Sequence, residues 1–174
     1  TYNVEIRDAV DTTCTEDLGN YIVNDIGDFL FDENADEAFV ENIGGVDYVI
    51  HAYKTTGSNS FTPPVGVTNV DVLIVAGGGG GAGYTGFSSA GGGGGGAGGL
   101  IYRETSTVTP EATIPLVVGG GGNGTNARNT PANNGENSTF DGLTALGGGG
   151  GILTSGNNNT PANDGGSGGG GRKN

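Results

Sequence analysis

The sequence predicts a mainly β fold: a jelly-roll-like β-sandwich carrying packed polyproline II (polyglycine) helices, with a small acidic N-terminal segment that includes a short helix. Three observations predict it. Short apolar stretches alternate with a period of two between Gly and Pro corners, no helical period occurs after Val46, and long glycine runs follow or separate the apolar stretches.

In chain order, Tyr2, Val4 and Ile6 alternate with Asn3, Glu5 and Arg7, the period of a half-buried strand. Leu18, Tyr21, Ile22, Ile26, Phe29 and Leu30 then fall on helical spacing, with Thr15 as N-cap and Glu16 and Asp17 in the first turn. Gly19 and Gly27 weaken that helix by roughly 1 kcal/mol each relative to Ala. From Val46 the pattern is that of strands, with Tyr48, Ile50 and Ala52 on one face and Val49, His51 and Tyr53 on the other. A turn is expected over 56–59, a rigid corner at Pro63-Pro64-Val65-Gly66, and a strand buried on both faces over 70–75. Further strands are expected over 100–103, 113–118 and 138–146, the last folding back on an Asp141-Gly142 turn.

Of 40 glycines, only six precede Gly77, which marks the main shift in composition. The runs 77–81, 91–96, 119–122, 147–151 and 168–171 stand beside predicted strands, which a flexible linker would not require. Glycine loses more backbone entropy on ordering than any other residue, so an ordered run needs contacts that only glycine permits. Polyproline II supplies them: three residues per turn, about 3.1 Å rise, and N–H and C=O groups pointing sideways toward neighbours that no Cβ holds away. Collagen is excluded because there is no Gly-X-Y period and Pro numbers only 6. Asn129-Thr130-Pro131-Ala132-Asn133 recurs as Asn159-Thr160-Pro161-Ala162-Asn163, which suggests equivalent loops of a duplicated unit.

The formal charge is −13, and thirteen of the nineteen acids lie at or before Asp47. This separates an acidic attachment segment, residues 1–45, from a glycine-rich domain, residues 46–174. With six basic residues and an acidic pI, no nucleic-acid partner is expected, because such affinity rests on neutralising phosphate. No run approaches the ~20 apolar residues of a spanning helix, so no membrane insertion is expected. The chain contains no Met, so an initiator removed, processed with a leader or lying upstream is expected. Cys14 stands alone, and no intrachain disulfide is available to it.

Tyr48-Val49-Ile50-His51, Thr56-Gly57-Ser58, Phe61-Thr62-Pro63-Pro64 and the stretch from Val70 to Ala76 running into glycine resemble the opening of the glycine-rich domain of bacteriophage tail fibres, adhesins and bacterial surface proteins. The later Gly135-Glu136-Asn137-Ser138-Thr139-Phe140-Asp141-Gly142-Leu143-Thr144-Ala145-Leu146-Gly147 is similar to that family's recurring block. The resemblance spans roughly 46–171. It implies a β-sandwich whose glycine-rich excursions form a polyglycine bundle, with loops between the glycine helices contacting a host receptor. The closing apolar strand that the family pattern implies is not evident after Gly168.

Other constellations fail on spacing. A strand runs into Gly77-x-Gly79, but no helix follows to hold a pyrophosphate, so no nucleotide site or other cofactor is expected. Asp32, Asn34 and Asp36 match the first calcium-loop ligands, yet Glu37 replaces the required Gly and Ile43 the bidentate Glu. A looser calcium site would draw on Asp25, Asp28, Asp32 and Asp36. His51 is the sole histidine, with no nucleophile–base pair visible around it; a satisfied sandwich histidine and a non-enzymatic protein are expected. Tyr84, Phe87 and Arg128 are the candidate receptor contacts, because aromatic and Arg side chains anchor interfaces and are rare among glycines.

The expectation is therefore a phage virion protein, a tail fibre or tip adhesin presenting polar loops to a host glycan or outer-membrane protein. Residues 1–45 would dock it to other virion proteins, and a homotrimer is expected by analogy with fibres. The alternative is a purely architectural virion or filament subunit without receptor binding.

Overall fold

The computed structural model describes residues 4–9, 32–83, 91–154 and 160–173; the helix expected over 15–30 lies outside them. A five-stranded sheet has the order β2-β3-β1-β5-β6, from β1 (Val4–Ala9), β2 (Glu37–Ile43), β3 (Val46–Tyr53), β5 (Asn69–Val75) and β6 (Leu100–Thr107). A four-stranded sheet orders β4-β7-β8-β9, from β4 (Gly57–Phe61), β7 (Ile114–Val118), β8 (Ser138–Phe140) and β9 (Leu143–Ala145). The chain crosses between sheets at β3–β4, β4–β5 and β6–β7, and the two sheets share one apolar core. The fold is thus the expected β-sandwich.

The register explains which side chains form that core. Val4 pairs with both Tyr53 and Ile74, and Ile6 with both His51 and Val72, so these four partners share one face across β1. Tyr53, Val72 and Ile74 meet Phe61, Leu116, Val118 and Phe140 of the other sheet, all essentially inaccessible to water. Removing that apolar area from water is the main favourable term for this part of the fold. In β5, Val70, Val72 and Ile74 are buried while Asp71, Leu73 and Val75 are only half-buried, so the burial on both faces expected for this strand is complete on one face alone.

Turns follow the residue chemistry. Val67 N–H donates to Pro64 O at 3.1 Å, and Gly66 has φ +86°, which makes the Pro-Pro corner a turn with glycine at the position requiring positive φ. Asp141 and Gly142, at φ 44° and 75°, form the expected hairpin between β8 and β9. The turn expected over 56–59 is displaced, because Gly57 already belongs to β4 and pairs with Val118. Its cause is Asp36, which accepts Lys54 and Thr55 N–H and fixes the bend one step earlier.

Three further features went beyond the sequence reading. Strand β1 sits between β3 and β5, and β2 pairs with β3, so the compositional boundary at residue 45 is not a boundary of the sheet. A bulge places Glu104 and Thr105 of β6 opposite Asp71 of β5; Thr105 takes φ 51° and its N–H donates to Asp71 Oδ1 at 2.9 Å. The chain also closes on a strand, β11 (Gly171–Lys173), parallel to β10 (Ile152–Thr154). Two short strands of unlike composition give no alternation to read, which is why neither was expected.

Candidate functional site

The glycine runs leave the sandwich as out-and-back excursions. The first goes out along 76–83 from β5 and returns along 91–99 into β6. The second goes out along 119–126 from β7 and returns along 132–137 into β8. The third goes out along 147–151 from β9 and returns along 163–166, after which 167–170 runs outward again to β11.

Their main chains bond with a period of three. Ala76, Gly79 and Ala82 donate to Gly99, Gly96 and Gly93; Gly93, Gly96 and Gly99 donate in turn to Ile152, Gly149 and Leu146. Gly148 and Gly151 donate to Gly77 and Gly80, and Gly135 and Ala132 donate to Gly148 and Gly151. Three residues per turn is the period of polyproline II, so one leg can serve several neighbours at once. The outgoing leg 147–151 lies at the centre, bonded to both legs of the first excursion, to 132–137 and to both C-terminal legs, and it is buried throughout.

Such closeness requires the missing side chains. A Cβ on Gly149 would stand 2.0 Å from Asn163 O, one on Gly79 2.1 Å from Gly149 O, and one on Gly93 1.9 Å from Gly170 O. Each hydrogen bond contributes about 1 kcal/mol net, whereas ordering a residue costs about 1–2 kcal/mol. The bonds alone therefore do not hold the lattice, and its two ends must contribute. The sandwich anchors one; Ala132, Ile152 and Leu153, all buried, lie at the other.

Side chains from the recurring block lock the legs to the sandwich. Ser138 Oγ donates to Val75 O at 2.8 Å and accepts Gly119 N–H at 2.9 Å, joining the roots of two excursions. Asn137 Oδ1 accepts Gly147 N–H, and Glu136 accepts Gly120 N–H. Farther out, Asn134 Oδ1 accepts Gly150 N–H while its amide donates to Asp164 O. These asparagines do the bonding of a main chain, a role that no spacing in the sequence would single out.

Residues 155–159, between the legs of the third excursion, lie outside the described residues; the second excursion turns at the end away from the sandwich. Arg128 lies there on the second tip, half-buried, beside Asn129, whose N–H donates to Leu153 O at 2.8 Å. Tyr84 and Phe87 belong to the first tip, 84–90, and lie outside the described residues. Of the two Asn-Thr-Pro-Ala-Asn copies, 129–133 and the described part of the second, 160–163, each lead into a returning leg. Asn133 N–H bonds Asn123 O, Asn163 N–H bonds Gly150 O, and the Asn163 amide donates to Ala132 O of the other copy.

Asp32, Asn34 and Asp36 lie on the sandwich, and among the described residues no group of three or more His, Cys, Asp or Glu is placed to hold a metal ion. The Asp32 carboxylate accepts Asn34 N–H, the Asn34 amide, Tyr53 O–H and Thr62 N–H. Asp36 accepts from Lys54 and Thr55, and those hydrogen bonds hold its carboxyl below the ordinary range. The four carboxylate oxygens of Asp32 and Asp36 thus each accept from a protein donor. Asp25 and Asp28 lie outside the described residues.

His51 is buried against Phe61, ring centroids 5.3 Å apart, and its Nδ1 accepts Asp32 N–H at 3.3 Å. Among the described residues its Nε2 finds no partner, so the expected satisfied histidine is satisfied there on one side only. Burial depresses its pKa, opposed by the Asp32 charge, and the imidazole is neutral at neutral pH. Burial also raises the Tyr53 hydroxyl, whose hydrogen bond to Asp32 adds to the shift.

The sequence model of a family described as a glycine-rich domain matches residues 54–174, more than half of the chain. Comparison with curated proteins and with solved structures returns no match.

Proposed function

The chain belongs to the glycine-rich domain family, and from that premise we propose that it is a non-enzymatic phage virion protein, a tail fibre or tip adhesin, that presents its excursion tips to the host surface. One observation carries this reading: the legs of three glycine excursions run side by side away from the sandwich as one main-chain-bonded lattice, with the sandwich holding its near end. A stiff mount of this kind lowers the ordering cost that flexible loops would incur on binding. The acid-rich end, with β1 and β2 built into the sheet, is the natural side for other virion proteins, and assembly as a homotrimer belongs to the same proposal.

Adsorption of the fluorescently labelled full chain to host bacteria tests it. Saturable adsorption that is lost on replacing Tyr84, Phe87 and Arg128 by Ala, with the melting temperature kept, supports adhesion. No adsorption, together with electron microscopy placing the chain in a capsid or filament lattice, would replace this reading by an architectural role.

A further inference from the structure

We infer that the free edge of β2 is a docking strand for another protein, which adds an extended segment whose apolar residues alternate with Lys or Arg. This deepens the reading of the acid-rich end as the side for other virion proteins. It rests on that reading for who the partner is, not for the binding itself.

The inference starts from which strand edges lie open. Among the described residues, β2, β6, β4 and β9 end the two larger sheets. Strand β6 is interrupted by its bulge at Glu104 and Thr105, a kink that spoils continuous pairing with a further strand. Strand β4 is tied to the 32–34 segment, since the Asn59 amide donates to Asn34 O and Thr62 N–H to Asp32, and β9 is only 3 residues long. Strand β2 has none of these protections. Its 7 residues pair one to one with β3 without a bulge, and it holds no Pro, Lys or Arg.

The register shows which main-chain groups this edge offers. Gly44 and Gly45, at φ 64° and 92°, form a two-residue loop, which makes Ile43 and Val46 a hydrogen-bonded pair. Such pairs alternate along an antiparallel ladder. Glu37, Phe39, Glu41 and Ile43 therefore bond inward to β3, while the N–H and C=O of Ala38, Val40 and Asn42 face outward.

The side chains decide what pairs there. Phe39 and Ile43 on one face and Val40 on the other are 43%, 39% and 54% exposed, so apolar surface lies on both faces of the edge. Glu37, Phe39, Glu41 and Ile43 share a face in the order acid, apolar, acid, apolar. Glu37 is bridged by Lys54, which leaves Glu41 as the acid that an incoming charge would meet first. Cross-strand neighbours stabilise a sheet when apolar meets apolar and opposite charges meet. An added strand thus needs basic residues opposite the acids and apolar ones opposite Phe39, Val40 and Ile43. A second copy of β2 brings acids of its own in a chain of formal charge −13, and fits less well. Main-chain bonds supply the affinity of such an addition, and the alternation supplies its specificity.

The test uses the full chain and a labelled peptide, Ile-Thr-Lys-Val-Ile-Thr-Lys, written to lie antiparallel to β2 with its first residue opposite Ile43. Fluorescence polarisation should show saturable binding, weaker by about fivefold or more when Glu replaces both Lys. Binding should fall by about tenfold or more when Pro replaces the central Val, whose N–H faces Val40. V40P should lose the peptide to the same extent and keep the fold, because Pro there removes only an outward donor; F39P removes an inward one and should lower the melting temperature further. If V40P unfolds, the Pro-containing peptide still decides. No binding, equal binding of the three peptides, or undiminished binding by folded V40P would overturn the inference. A dimer that V40P abolishes would give the edge to a second copy and overturn it equally.

Labelled wild type and V40P applied to host bacteria separate this from the adhesion reading. Peptide binding without adsorption of either chain keeps the edge and removes adhesion. Adsorption of both without peptide binding keeps adhesion and removes the edge.

Discussion

At the scale of the residue, what matters most is the space a single methyl group would need. Gly93 and Gly94 are neighbours on the same leg, yet a Cβ at Gly93 meets Gly170 O at 1.9 Å while one at Gly94 meets nothing within 4 Å. Gly93→Ala should cost about 3 kcal/mol or more, because it separates legs whose bonds then go unmade. Gly94→Ala should be neutral or stabilise by up to about 1 kcal/mol through the unfolded chain. Urea melts of the two variants check the contrast, and equal destabilisation would contradict the lattice. His51 supplies the second prediction at this scale. Its folded pKa lies below the ordinary 6.5, so below that pH the unfolded chain binds a proton that the folded one refuses. Its contribution to stability is constant above about pH 6.5 and falls as the pH drops from there to the folded pKa. His51→Phe should flatten that part of a melting-temperature profile, leaving the carboxylate-dependent loss at lower pH, where the depressed Asp36 is protonated.

At the scale of the element, strands and hairpins were legible because their causes are local. The Asp141-Gly142 turn, the Pro-Pro corner and the alternation around Val72 each follow from a few adjacent residues. Polyproline II packing was legible in kind, since only one backbone form suits ordered polyglycine. Which leg pairs with which was not, because glycine carries no pattern to set one run against another. The partners are selected by side chains whose targets lie far away in sequence: Asn134 with Gly150, Asn137 with Gly147, Ser138 with Val75 and Gly119. The candidate site was read unevenly for the same reason. Arg128 could be picked out by residue type, but its place near Leu153 depends on the neighbouring Asn129 N–H bonding Leu153 O of another excursion. Ser138→Ala leaves Gly119 N–H and Val75 O without their partner at a buried junction, a loss of roughly 2–4 kcal/mol. Asn137→Ala, at a more exposed place, should cost about 1 kcal/mol. Thermal melts rank the two, and a reversed order would show that the roots of the excursions are not where the lattice is fastened.

At the scale of the whole molecule, a side-chain core and a main-chain core are joined end to end, and they respond to change in different ways. The sandwich depends on volumes: Phe61, Phe140 and Tyr53 fill it. The lattice depends on phase. Each residue along a leg turns its N–H by a third of a revolution, so three inserted glycines restore every direction while one or two leave every donor facing the wrong neighbour. Adding Gly-Gly-Gly at matching levels in all the legs should lift the tips by about 9 Å and keep the fold, a change that small-angle scattering would detect. A single added glycine in 147–151 should collapse the assembly instead. Lengths of such a tower are thereby quantised in whole helical turns, so its height can grow or shrink only by concerted triplets.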